Sequence, residues 1–402
     1  MEEARSATQR LRQHDPTLRV SHLKEWASWH RLVYRAMGAS RSSDRNAGHA
    51  VTQSPLRIVG AGVAGLTTAI QLARHGASVE VFERRADSGP VHGVRCDAIE
   101  NWTSPDDLYG DLKSWSIDGA LFHQPSSLEV RTFDGECRPV TQVRPLLYVV
   151  KRGSEAGCLD WALKRQALDL GVRIRYGETQ PRQNADVWAV GSRGRGLFLD
   201  TGITFRTSQP NRAVILFDRR IAPRACAYLL VVDGVGTLAV LLTREMKSAR
   251  ELLGNAIDAF RRVAPFDMRE AKMRSGFGGT LRALNTGPSV PLAIGEAAGF
   301  LDYLWGFGIR YAMLSGSLAA RAPLEGSRYD DLVARQIAPL VQCSLINRKL
   351  YDLAGNRTYR ALVRYFCGHE DLHALLRQSY RSRAVRRHLW PWVRRSFLGG
   401  SS

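Results

Sequence analysis

The chain has 402 residues, 44% of them hydrophobic, and 57 Lys and Arg stand against 38 Asp and Glu for a formal charge of +19. That length supports two or three packed units around a substantial core, and the composition excludes a disordered chain. No run approaches the roughly 18 to 20 apolar residues that span a bilayer, and the polar N-terminus lacks the apolar stretch of a secretory signal. Zinc-finger spacing and an RNA-binding strand signature are both missing. The expectation is a cytoplasmic protein that binds no nucleic acid. Six scattered cysteines (Cys96, Cys137, Cys158, Cys226, Cys343, Cys367) show no metal-ligand spacing, so they read as reduced structural thiols and no metal site is expected. The basic excess divides between an arginine-rich solvated surface and attraction to acidic partners, either anionic lipid or substrate phosphate.

Residues 1–55 form an N-terminal extension and linker. Within them Val20–Met37 reads as an amphipathic helix that docks on the body or, as the alternative, lies on a membrane surface, and Gly38–Ser54 as linker. Leu56–Arg85, LRIVGAGVAGLTTAIQLARHGASVEVFERR, then reads as strand, glycine turn, helix, strand and acid. Gly60, Gly62 and Gly65 follow the first strand in G-x-G-x-x-G spacing. Gly60 allows the tight turn, Gly62 lets a pyrophosphate approach the backbone, and Gly65 lets the helix lie against the strand. The helix over Val63–Arg74 offers its N-terminal amides to that phosphate and stops at Gly76. Val79–Phe82 is the second strand. Glu83 ends it, about 20 residues past the turn, where a carboxylate holds an unphosphorylated ribose such as that of FAD or NAD. Glu83 and its neighbour Arg84 are the candidate contacts at that end.

Ala86–Trp102 reads as a glycine and proline loop over the cofactor, with Cys96 as a small buried thiol. Strand-like runs SLEVRTF and LLYVV between Leu121 and Val150 suggest an inserted antiparallel sheet. A helix over Cys158–Leu170 ends at Gly171, and Val172–Tyr176 and Ala185–Val190 are further parallel strands. From Leu197 to Thr243 strands return, with Asp233-Gly234 as a hairpin turn. Ala249–Val263 is a helix, Gly276–Thr280 a loop and Val290–Ile294 a last apolar strand.

Residues 295–321, GEAAGFLDYLWGFGIRYAMLSGSLAAR, run from that strand through a glycine loop into a helix. Gly306 and Gly308 free the backbone at the helix start, where amides can hold a partly negative ring edge. Together with Leu56–Glu83, the run Gly295-Glu296-Ala297-Ala298-Gly299-Phe300, Gly306-Phe307-Gly308-Ile309, Ala312-Met313, Ser315-Gly316 and Ala319-Ala320 resembles the flavoprotein group of the p-hydroxybenzoate hydroxylases, nearest its geranylgeranyl reductase branch. The resemblance covers roughly residues 56–330. It implies FAD as cofactor, Glu296 on the ribityl chain, amides near Gly306 and Gly308 at the flavin pyrimidine edge, and Arg152 on the cofactor. Glu296 stands where the branch has aspartate, Tyr303 where it has proline, and Trp305 adds a ring beside the loop. The group's aspartate-glycine pair is replaced by Gly191-Ser192-Arg193-Gly194, and the tryptophan motif of the halogenases is absent.

The expected fold class is α/β: a Rossmann-like FAD-binding domain (56–120, 151–196 and 286–325), an inserted antiparallel β-sheet substrate domain (121–150 and 197–285) and a helical basic C-terminal region (326–402). The expected activity is FAD-dependent reduction of a carbon–carbon double bond in a small apolar, isoprenoid-like substrate, by hydride from flavin N5. NAD(P)H is the candidate electron donor, and Tyr228, Tyr303 and Trp305 are candidate substrate-lining residues. The alternatives are a flavin-dependent monooxygenase of a lipophilic or aromatic substrate, and a flavin-binding protein recruited to a membrane or partner without turnover. Leu375–Phe397 mixes seven arginines with Leu389, Trp390, Trp392 and Phe397, which suits peripheral contact with an anionic inner membrane surface or a solvated basic helix packed by its aromatic side. Pro391 is expected to interrupt any continuous helix there.

Overall fold

The computed structural model describes residues 54–398, except residues 92, 133–135, 141, 143, 193–195, 244–245, 281–290 and 354, together with Val33. The predicted N-terminal helix and linker thus lie outside the described residues apart from Val33 and Ser54. Val33 is helical and buried in the main hydrophobic core.

The first sheet is the one the glycine turn announces. It begins with β1 (Leu56–Val59), α1 (Val63–Arg74) and β2 (Val79–Glu83), with β1 and β2 in parallel register and Ile58 opposite Val81. Leu66, Ala69 and Ile70 of α1 are fully buried, each large side chain contributing about 1.5–3 kcal/mol. Gly76, at φ +81°, ends the turn after α1. Next come β3 (Arg95–Glu100), α2 (Leu108–Ser114), β4 (Phe122–His123), β5 (Ser127–Thr132), β6 (Cys137–Pro139) and β7 (Leu147–Arg152). α3 (Leu159–Asp169), β8 (Arg173–Tyr176) and β9 (Val187–Trp188) return the chain to the first sheet. With β15 (Leu292–Ala293) it has five parallel strands in the order β15-β9-β1-β2-β8.

The second sheet has seven strands. β10 (Phe198–Arg206), β11 (Arg212–Phe217), β12 (Ala227–Val232), β13 (Val235–Leu242) and, after α4 (Ala249–Val263), β14 (Arg269–Gly278) combine with β5 and β6 in the order β14-β10-β13-β12-β11-β5-β6. The hairpin turn joins β12 to β13 as expected, with Asp233 and Gly234 both at positive φ (48° and 74°), matching the strand twist. One face, including Leu199, Ile203, Leu229, Leu238 and Val240, is sealed by Leu252, Leu253, Ala256 and Phe260 of α4. The other faces the first sheet across a cavity. β3, β7 and β4 form a third, antiparallel sheet.

α5 (Ile309–Leu324), α6 (Tyr329–Gln336), α7 (Ala338–Leu353), α8 (Asn356–Cys367), α9 (Leu372–Arg381) and α10 (Arg383–Leu398) complete the chain. α5 lies on α1, α8 on β5 and β6, and both α9 and α10 on α7.

Four expectations are corrected. Part of the expected loop over Ala86–Trp102 is β3, because Cys96 is buried and its amide donates to Thr237 Oγ1 at 2.8 Å, tying the segment to β13. The expected loop at Gly276–Thr280 is strand as far as Gly278, paired with Phe198 of β10. The inserted sheet is mixed rather than antiparallel, since β5 runs parallel to β11. α10 continues through Pro391: one backbone bond is lost there, and burial of Val393 with packing of Leu389, Trp390 and Phe397 on the core outweighs it.

Candidate functional site

A cavity of about 1200 Å³ lies between the first and second sheets, bounded by the glycine turn, the loop before α5, and α7 to α9. The three glycines of the turn meet different constraints. A Cβ on Gly60, which sits at φ +109°, would lie 2.6 Å from Ala189 O, and one on Gly65 would lie 2.0 Å from Gly60 O. A Cβ on Gly62 would meet no protein atom within 4 Å, only the cavity. Gly65 is therefore a packing glycine outside the cavity wall. Glu83 lines the cavity at the end of β2 and ties the turn together, accepting from Ala61 N at 2.9 Å and Arg85 N at 3.0 Å. Arg84 lines the wall beside it.

Across the cavity, the loop before α5 is shaped from below by Asp302. Its carboxylate accepts from Leu304 N (3.0 Å), Trp305 N (3.2 Å) and Tyr380 Oη (3.0 Å). Its own amide donates to Phe307 O, and its carbonyl accepts from Gly306 N, both at 2.8 Å. The Gly306 amide itself thus closes the loop. The Phe307 and Gly308 amides have no partner among the described residues and sit at the N-terminus of α5. Burial pushes Asp302 up to about 6 and its neighbour Glu100 up to about 7, the latter against the lowering effect of Arg310. Arg310 is itself spent on Asp111, Glu100 O and Asn101.

Glu296 lines the cavity beside Gly191 and Gly278. Its carboxylate, raised by burial, accepts from Gly279 N at 3.1 Å, so the extra methylene relative to aspartate reaches the end of β14. Arg152 is in the wall, clamped by Asp160 through two 2.8 Å bonds, with Asp97 3.4 Å from Nη1. Asp160 also accepts from Gly153 N at 3.0 Å, so this pair fixes the end of β7.

The second-sheet wall is apolar over Leu128, Val130, Ile215, Leu230 and Leu241, with Asp200, Tyr228 and Arg274 set into it. Toward the C-terminal helices the wall becomes aromatic. Trp305 packs on Phe217 (centroids 5.4 Å) and Tyr351 (5.3 Å), and Tyr351 stacks on Tyr359 at 4.4 Å. Beyond them α8 and α9 add Leu362, Val363, Leu372 and Leu376.

The structure brings Gly60, Gly62, Glu83, Arg84, Arg152, Glu296, Gly306, Gly308, Tyr228 and Trp305 to one cavity. It does not bring Tyr303, whose hydroxyl, with one proton to give, lies 2.9 Å from Gly299 O and 3.0 Å from Thr280 O while its ring is buried beneath the loop. Cys96 points away from the cavity, donating to Val235 O, and burial pushes its thiol up to about 12. Sequence reasoning missed Asp302, Asp160, Arg274, Asp200, Tyr351 and Tyr359. Only Asp302, six residues ahead of Gly308 in the glycine loop, stood where a motif could have pointed to it.

These residues fit FAD. The open space at Gly62 beside the start of α1 suits a pyrophosphate, Glu83 suits a ribose, and the amides at α5 suit a flavin ring edge. Residues 58–97 match the family model of the NAD(P)-binding Rossmann-like domain. No curated protein sequence matches the chain. The chain is similar in structure to a geranylgeranyl bacteriochlorophyll reductase-like protein from Thermoplasma acidophilum, with TM-score 0.61 and 16% identity over 83% of this chain and 98% of that one. It is also similar to a flavoprotein/dehydrogenase from Cytophaga hutchinsonii (0.55, 12%, 85% and 99%) and to p-nitrophenol 4-monooxygenase from Pseudomonas putida (0.51, 13%, 84% and 97%). At these identities the shared feature is the fold alone.

Proposed function

We propose that this protein is an FAD-dependent oxidoreductase that reduces a carbon–carbon double bond in an apolar, isoprenoid-like substrate. The observation that carries the reading is one cavity joining a dinucleotide turn to an apolar and aromatic wall. FAD, when bound, supplies hydride at N5, with NAD(P)H as its electron donor. The chain's own residues do the rest. Gly62 and the first turn of α1 hold the pyrophosphate, Glu83 the ribose, Glu296 the ribityl chain, and the Phe307 and Gly308 amides the ring edge. Trp305, Phe217, Tyr351 and Tyr359 exclude water and orient the apolar chain of the substrate. The reductase-like neighbour from Thermoplasma acidophilum is in keeping with this reading, as the p-nitrophenol 4-monooxygenase neighbour is with oxygenation, so the choice rests on the test below.

The test is anaerobic reduction with NADH or NADPH in the presence of isoprenoid alcohols, followed by an oxygen pulse, with products read by mass spectrometry. Gain of two hydrogens without oxygen supports the reading. Gain of an oxygen atom only after the pulse makes the protein a monooxygenase. Indifference to every donor makes it a binding protein.

We infer also that the C-terminal face meets an anionic membrane. Arg383, Arg387, Arg394 and Arg395 are exposed on α10, and Trp392 is 44% exposed with Lys349 Nζ 5.5 Å above its ring. Leu350, in the cavity wall, is 47% exposed and Leu353 73%. Leu350 thus links the cavity wall to the surface, one residue from the Lys349 that meets Trp392. Among the described residues no helix is long and apolar enough to cross a membrane, so contact would be peripheral. Basic residues near an anionic bilayer contribute about 1 kcal/mol each. The full chain should pellet with phosphatidylserine vesicles more than with phosphatidylcholine vesicles, and less as salt rises. Equal pelleting with both leaves the arginines as a solvated face.

A further inference from the structure

The cavity-facing side of the second sheet is mostly apolar, with Thr204 and Ser275 as small uncharged polar residues and a single charged cluster. Asp200 on β10 and Arg274 on β14 are the only charged side chains that this sheet contributes to the described wall, and Tyr228 on β12 joins them. Arg274 Nη1 donates to Asp200 at 2.5 Å and Nη2 to the Tyr228 hydroxyl at 2.8 Å, with a long contact from Nη2 to Asp200 at 3.5 Å. Tyr228 in turn donates to Asp200 at 3.0 Å. The guanidinium side chain is 4% exposed.

An ion pair in such a place is a poor source of stability, because well-packed apolar residues of similar volume do as well or better. The wall around it shows that apolar residues were the local alternative. The donors also outnumber the acceptors. A guanidinium has five N–H groups. Asp200 and Tyr228 engage three, leaving Nε, which has no partner among the described residues, and one on Nη1. A ligand oxygen with lone pairs or negative charge is what this cluster lacks. Neighbouring charges do not supply it: Asp97, the other carboxylate acting on Arg274, already takes two bonds from Arg95 and a contact from Arg152.

We propose that Arg274, with Tyr228 and Asp200 positioning it, is the recognition site for the oxygen of a conjugated carbonyl substrate. This rests on the double-bond reductase reading and narrows it. An isolated alkene has no atom to carry the charge that accumulates as its double bond is reduced. In an α,β-unsaturated carbonyl compound, hydride gained at the β-carbon would break the carbon–carbon π bond and send its electron pair to oxygen, where a buried guanidinium stabilises the enolate far more than water would, and the enolate would then take a proton from solvent at the α-carbon. The apolar remainder of the substrate runs along Leu230, Leu241 and Ile215 toward the aromatic wall.

A fluorinated phenol is a stable stand-in for such an oxygen anion, and fluorobenzene is its neutral counterpart. The experiment titrates the flavin-loaded protein with 4-fluorophenol and with fluorobenzene, read by fluorine NMR, across pH. The bound phenol should ionise at least about one pH unit lower than the free phenol, which is a tenfold preference for the anion. Arg274→Met should abolish that shift while fluorobenzene affinity stays within about twofold. Tyr228→Phe, which keeps the ring, should reduce it by less. If Arg274→Met fails to fold, Arg274→Lys should retain a smaller shift and serve the same purpose. An unchanged phenol midpoint in wild-type protein with full flavin absorbance overturns this site and leaves the oxidoreductase reading standing. A protein that takes up no flavin overturns that reading itself.

Discussion

The glycine turn after β1 is held chiefly by close backbone packing, with Ala189 against Gly60 and Gly60 against Gly65, whereas the loop before α5 is held by side chains from other parts of the chain. In the turn, Gly60 is pressed against Ala189, Gly65 against Gly60, and Glu83 bonds Ala61 and Arg85. In the loop, Asp302 relies on Tyr380, Tyr303 N donates to Ser344 Oγ at 3.0 Å, and Leu304 O accepts from Arg348 at 3.1 Å. Both present amides at a helix start to the same cavity. The first is fixed by backbone geometry, the second by a buried polar network, and the two should therefore fail differently.

The largest effect is expected at Gly65. Gly65→Ala puts a methyl 2.0 Å from a backbone oxygen that cannot move without opening the turn. The cost should exceed about 3 kcal/mol, the upper end for overpacking, and thermal unfolding should show either a large fall in Tm or no folded protein. Gly62→Val is the contrasting change. No protein atom opposes it, so the fold should hold while flavin retention falls about a thousandfold, the equivalent of about 4 kcal/mol. Normal flavin content in Gly62→Val would place the pyrophosphate elsewhere.

This division explains what could be read from the sequence. Glycine spacing, the α1 periodicity and the acid at Glu83 are local, so the first sheet and its turn were legible. So was α4, whose apolar residues repeat at helical spacing. β3 was not, because its strand character comes from pairing with β7, about fifty residues later, and from burial of Cys96 under β13. Asp200, Tyr228 and Arg274 were dispersed over three strands, and only the register of β10, β12, β13 and β14 sets them side by side. Tyr303 misled for the opposite reason: it lies in the motif, yet its hydroxyl finds backbone carbonyls beneath the loop.

The network under the second loop should show itself in pH dependence. Asp302 and Glu100 hold protons more tightly in the folded chain than in the unfolded one. Their contribution to stability is therefore fully present below the unfolded values and is lost as pH rises through about 6 for Asp302 and about 7 for Glu100. Glu100→Gln removes one of these charges. Relative to wild type, its unfolding free energy in urea should improve by about 2–4 kcal/mol between about pH 4.5 and about pH 8. A parallel pair of pH curves would mean that Glu100 titrates as an ordinary carboxyl.

Glu296→Ala probes the boundary between the two regions, since Glu296 lines the cavity while bonding Gly279 at the end of β14. A lost charge-assisted bond to the cofactor is worth about 1.5–3 kcal/mol, or roughly 10-fold to 150-fold in flavin affinity by titration. Unchanged affinity with a lower Tm would assign Glu296 to the sheet end alone.

Tyr380→Phe should have the smallest effect and tests the long-range tie most directly. The ring, fully buried with its centroid 6.2 Å from that of Trp102, is retained, and only the hydroxyl that donates to Asp302 Oδ1 is lost. Asp302 keeps its two amide donors from Leu304 and Trp305, so the loop should stay in place. The loss should be about 1.5 kcal/mol, the lower end for one hydrogen bond to a charged group. It should be larger above about pH 6, where Asp302 is ionised and the bond is charge-assisted, than at about pH 5, where the carboxyl is protonated. Because α9 carries Tyr380 while the loop carries the Phe307 and Gly308 amides, the same variant should loosen flavin binding by a few-fold at most. A loss of stability that is the same at both pH values would mean that the hydroxyl acts by packing, and the loop would then owe its shape to Asp302 and its own amides.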